Sequence, residues 1–141
     1  MRNAALFRER PTALKIITAL VVPAAFGAVT GLVLGVSSAG YWALSLVALA
    51  GGVLAGFEHP DGWEGADRGL VGGTVFGTFL LLAHTLAGTH AQVSIPKFAP
   101  ILVVFTAIVG MFAGALGGRL RRGATERVDG SASADSETVR G

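Results

Sequence analysis

Cysteine is absent from the 141 residues, which removes disulfides, thiolate metal centres and cysteine nucleophiles from consideration. Charge is scarce as well, with Asp, Glu, Lys and Arg at 14%, against about a quarter in an average soluble domain. A chain so poor in charge lacks the composition of a disordered protein, and at this length it holds one domain at most. In place of charge stands apolar surface: hydrophobic residues make up 52% and the mean hydropathy is +0.63. Lipid, rather than water, is the solvent this composition suits.

Enzyme templates are missing too. The sequence has no GxSxG, no HExxH, no phosphate-binding GxxxxGK[ST] and no CxxC. The few His and carboxylate residues form no triad or dyad by spacing. The expectation is therefore a protein that is not an enzyme and carries no cofactor and no metal.

Four runs are long and apolar enough to cross a hydrocarbon core, at residues 14–36, 41–57, 69–87 and 98–118. They contain no Asp, Glu or Arg, and their one Lys, Lys15, lies at an end where it can snorkel. None alternates with period two, and in lipid an Ala/Leu/Gly-rich run satisfies its backbone only as a helix. The fold class expected is all-α: an integral membrane four-helix bundle with glycine-rich helix contacts. Residues 1–13 form a basic N-terminus, 14–118 the membrane domain, and 119–141 a basic stretch followed from Gly123 by a disordered tail. The first run is too long for the apolar core of a signal peptide.

Charge placement sets the expected orientation. Arg2, Arg8 and Arg10 precede the first run and Lys15 lies at its start, Arg68 lies between the second and third, and Arg119, Arg121, Arg122, Arg127 and Arg140 follow the fourth. With four crossings all of these fall on one side and only Lys97 on the other, so both termini are expected in the cytoplasm and the protein in the cell membrane. The basic residues sit beside apolar segments, which points to lipid headgroups and away from nucleic acid. The short link at residues 37–40 predicts a tight hairpin of the first two helices, with Tyr41 and Trp42 at the outer headgroups.

Glycine numbers 21, about twice the usual share of roughly 7%, and its spacing is informative. Gly27, Gly31 and Gly35 in the first run stand four apart, as do Ala48, Gly52 and Gly56 in the second, Gly69, Gly73 and Gly77 in the third, and Gly110, Gly114 and Gly118 in the fourth. Residues four apart share a helix face, so each run offers a groove into which a neighbouring backbone can fit. These ladders serve to pack the monomer, or leave one face for a second copy or another membrane protein.

Pro23, near the middle of the first run, removes the bond to the carbonyl of Ala19 and predicts a kink. His84 is the one ionisable residue inside the last three runs. It follows Gly77 by seven residues and Gly73 by eleven, which places it on the same face, toward the bundle interior. An intramembrane His is a candidate for proton or ion handling, and near a helix end it is equally a polar group satisfied by water or a carbonyl. The stretch FEHPDGWEGADRG at 57–69 reads as a connecting loop in which Glu58, His59, Asp61, Glu64 and Asp67 match no metal motif, Pro60-Asp61-Gly62 makes a turn and Trp63 anchors at the interface.

In size, helix number and glycine content the whole chain resembles small four-helix bacterial membrane proteins, which implies a bacterial inner membrane. Small multidrug exporters share this size but carry a membrane-embedded Glu in the first helix, and residues 14–36 contain none. Fluoride channels carry Asn in the second helix; GGTVFGTF at 72–79 is superficially similar to their broken third helix, yet no Asn lies in any run here. The function expected is that of a non-enzymatic structural or assembly subunit packing through glycine faces. The alternative is a small oligomeric channel or transporter with His84 near its outer mouth.

Overall fold

The computed structural model describes residues 12–138. Its order is α1 (Thr12–Ile16), a π-helical turn (Ile17–Val21), α2 (Val22–Leu34), α3 (Ser38–Phe57), α4 (Gly62–Ala87) and α5 (Pro100–Thr138). Among the described residues there is no strand. α1, the π turn and α2 follow without a break and make one span, so four helices are long and apolar enough to cross a membrane.

Capping explains where the helices begin and end. The Ser37 hydroxyl accepts from Gly40 N at 3.0 Å and starts α3. Asp61 caps α4, its Oδ1 accepting from Trp63 N at 3.0 Å and Glu64 N at 2.9 Å, and Glu64 in the first turn complements the helix dipole. α4 stops at Gly88, whose φ of 62° is the left-handed conformation that glycine adopts at little cost.

These caps shift several boundaries read from the sequence. α4 begins at Gly62 rather than 69, because a single well-placed Asp cap lets Gly62 to Arg68 join the helix despite their polarity. The connecting loop shrinks to Glu58–Asp61. α3 begins at Ser38 rather than 41 for the same reason. α5 runs on to Thr138, so the part of the expected disordered tail that is described, from Gly123 onward, is helical. That stretch has no Pro, so it can continue a helix already nucleated in the membrane. The basic N-terminus at 1–11 lies outside the described residues.

α4 is the central element. It packs most extensively on α5 and next on α2; α3 packs chiefly on α5, and α2 and α3 touch much less than their short link suggests. The close hairpin expected of the first two helices thus gives way to a different neighbour, because the glycine face of α2 turns to α4. α2 and α4 run parallel, Gly27 facing Phe76 and Gly31 facing Leu80, whereas α4 and α5 run antiparallel, Gly65 facing Gly114 and Gly73 facing Thr106.

At the end opposite the termini, buried Leu34, Leu80 and Leu102 form an apolar cluster. Tyr41, Phe76 and Leu81 pack around it, and so do Ala91, Val93 and Ile95 of the α4–α5 loop. The alternation of these residues with exposed Gln92, Ser94 and Pro96 makes an extended plug. Gln92 N donates to the carbonyl of Leu34 at 2.9 Å, tying the plug to the end of α2.

Candidate functional site

Glycine positions set how closely the backbones approach. A Cβ at Gly27 would overlap the carbonyl oxygen of Phe76, and one at Gly31 that of Leu80. Between α4 and α5 the overlaps are mutual: Gly69 with the carbonyl of Gly110, Gly110 with that of Gly69, Gly65 with that of Gly114, Gly114 with that of Gly65. Gly73 lies against the carbonyl of Thr106 and Gly77 against its hydroxyl. Between α3 and α5, Gly56 meets the carbonyl of Gly114, while Gly52 is looser, 3.3 Å from the Ala113 methyl.

Gly35 differs from the others in its ladder. It closes α2 and lies against the Thr89 hydroxyl of the plug loop rather than against a helix. Gly118, the last of its ladder, meets the carbonyl of Asp61, and the close contacts that the sequence ladders do not include are those of Gly65 with Gly114 and of Gly117 with the carbonyl of Val53. Gly65 extends the four-residue ladder of Gly69, a signal hidden once the helix was begun too late. On α3, Gly51 has nothing within 4 Å.

His84 is 8% exposed, and its Nδ1 is buried with no hydrogen-bond partner. A buried acceptor left bare costs about 1–3 kcal/mol. The register that puts Phe76 on Gly27 and Leu80 on Gly31 brings His84 to the level of Gly35, beneath the plug loop. At the other end His59 is also buried, its Nδ1 3.0 Å from the carbonyl of Ala55 at the close of α3.

Arg68, read from the sequence as a loop residue, is half-buried in α4, about 9 Å along the axis from Gly62. Its Nη2 donates to the carbonyl of Thr18 in the π turn of the first span. The need for that bond follows from the chain. In the π turn Val22 N donates to Ile17 O, five residues back. The same step would pair Thr18 O with residue 23, which is proline and has no N–H. Thr18 O is thus left without a donor in its own helix, and the guanidinium supplies one from α4. Gly72 leaves the space: a Cβ there would lie 3.0 Å from Arg68 Nη1 and 3.9 Å from Pro23 Cγ. Glu58, after the end of α3, is close enough to act on Arg68 electrostatically. The expected disturbance at Pro23 therefore takes the form of a π turn just before it.

The polar groups of the short α3–α4 turn serve the helix ends. Asp61 caps α4, and Arg121 Nη1 donates to the carbonyl of Phe57 at 3.1 Å. Trp63 is 78% exposed beside them, at the level where α5 leaves the apolar span. Among the described residues no three His, Asp or Glu side chains gather as a metal-holding group. Pro60, Arg121, Arg122, Thr125 and Glu126 line an open recess under the turn, and Leu49, Val53, Val109, Phe112, Ala113 and Leu116 line an apolar groove between α3 and α5.

Comparison of the chain with protein-family models, with curated protein sequences and with solved structures finds no match.

Proposed function

We propose that the protein is a non-enzymatic subunit of the cell membrane that works by assembling with another membrane-spanning chain, a second copy or a different protein. One observation carries this reading. The glycine faces of α2, α4 and α5 are filled from within the chain, whereas α3 buries only Gly56 and leaves Gly51 open. Ala39, Ala43, Val47 and Gly51 stand four apart on α3 and are all exposed, and the Ala and Gly positions beside Val47 are of the kind that lets a further helix approach closely. Orientation enters the same proposal: with four crossings the Lys and Arg residues outside the spans fall mostly on one side, which supports a cytoplasmic location for that side.

Purification in mild detergent followed by subunit counting tests the reading. The expected result is a stoichiometric complex that is lost in Gly51→Leu while the melting temperature of the isolated chain holds. A monomer with no co-purifying membrane protein, unchanged by Gly51→Leu, would overturn it.

A second reading, a small channel or transporter, is favoured by the bare buried Nδ1 of His84, since an unsatisfied polar group inside a span is often there for a permeant proton or ion. Flux across a panel of ions in liposomes separates the two. Conductance abolished by His84→Ala would support this reading and displace the first.

A further inference from the structure

We propose that the first membrane span contains a hinge at Ile17–Val21 and that Arg68 is the clamp that holds it shut. The arm is the segment Thr12–Val21, and its closed position is the one in which Thr18 O receives the Arg68 guanidinium.

The chain builds this device from three independent features. The π turn and Pro23 together remove both backbone donors from Thr18 O, so the span has a weak point that sequence-local bonds cannot close. Around it, the Thr18 hydroxyl shares its proton between Leu14 O at 2.9 Å and Lys15 O at 3.3 Å, so its side chain is engaged within the arm and not across the break. Beyond it, α2 is fixed to α4 by the Gly27 and Gly31 contacts. Helix thus lies on both sides of a turn whose part-buried carbonyl has its donor on another element.

The clamp is charged, and it acts from a place where charge is expensive to leave unpaired. Glu58, from the end of α3, supplies the counter-charge, and Gly72 leaves the guanidinium room to reach across. The arm and α4 therefore meet at this point, with Glu58, after the end of α3, within electrostatic reach. The arm itself is lightly held, with Leu14, Ile16, Ile17, Leu20 and Val21 all more than 40% exposed. Releasing Arg68 leaves one bare carbonyl at a π turn, and a tilt of the arm away from α4 lets water from the nearby interface reach it. A charge-assisted bond of this kind shifts a two-state ratio by roughly tenfold or more.

Spin labels on Ala13→Cys and Asp67→Cys, both exposed positions in a chain without cysteine, read the arm against α4 in lipid nanodiscs. The parent is expected to give one narrow distance distribution. Arg68→Leu is expected to add a second, longer population, raising the open-to-closed ratio roughly tenfold or more. Pro23→Ala in that background restores an N–H at position 23 and lets the span return to regular α-helix, where Val22 N serves Thr18 O. The second population is then expected to vanish. Gly72→Leu, which keeps the charge but pushes the guanidinium away, is expected to reproduce it, and carries the test should Arg68→Leu fail to fold. An unchanged distribution in Gly72→Leu, or a second population that Pro23→Ala does not remove, would overturn the proposal.

Discussion

At the scale of single residues, what holds this bundle together is missing atoms. Water supplies no drive between helices inside lipid, so association rests on van der Waals contact, and contact is closest where a side chain is absent. The mutual overlaps of Gly69 with Gly110 and of Gly65 with Gly114 show two backbones meeting directly, in the range where Cα–H···O contacts add to packing. Gly73→Leu would drive a side chain into the carbonyl of Thr106, a backbone atom that cannot swing aside. The expected effect is a loss of about 1–3 kcal/mol, seen as a lower melting temperature in detergent. Gly123→Leu is the control: nothing lies within 4 Å of it, and the melt is expected to hold. Equal melts for the two variants would mean that the α4–α5 contact is not where the chain places it. His84 shows the opposite economy, since a ring nitrogen buried without a partner at 8% exposure is a cost to the fold.

At the scale of elements, length separates α5 from the rest. Its 39 residues span about 58 Å, roughly twice the hydrocarbon core. The membrane part ends near Gly118, and beyond it Arg121 still reaches back to the carbonyl of Phe57. Removal of residues 128–141 is expected to lower the helical signal in circular dichroism and leave the detergent melt within about 0.5 kcal/mol of the parent. A larger loss would place the end of α5 against the bundle. The existence and number of the membrane helices were legible because an apolar run of this length has one solution in lipid. Their ends were less so. The Asp61 cap admits a polar first turn to α4, and hydropathy alone stops at Gly69. The tail was read from composition as disordered, yet a helix that emerges from the membrane already nucleated carries marginal residues with it. The plug loop was hidden for another reason: Ala91, Val93 and Ile95 alternate over too few residues to stand out beside four long apolar runs.

At the scale of the whole molecule, the order of packing matters more than the order of the chain. α4 lies between α2 and α5, and α3 joins through α5, which leaves α3 the least buried of the four spans. That order could not be read from the link lengths, because a short link makes two helices antiparallel without making their faces match. Glycine spacing named most of the contacting positions, but every helix carries such a ladder, and only the pairing of Gly27 with Phe76 and of Gly69 with Gly110 says which ladder meets which. Arg68 was legible as a residue and not as a site, since its partner is a carbonyl fifty positions away. All of this presupposes a chain that crosses the membrane four times with its termini together. The absence of cysteine allows the direct measurement: single cysteines at Ser38, Thr89 and Ser133 in intact cells, treated with a membrane-impermeant thiol reagent. Labelling at Ser38 and Thr89 with none at Ser133 until the membrane is opened is the expected result, and labelling of Ser133 in sealed cells would contradict it.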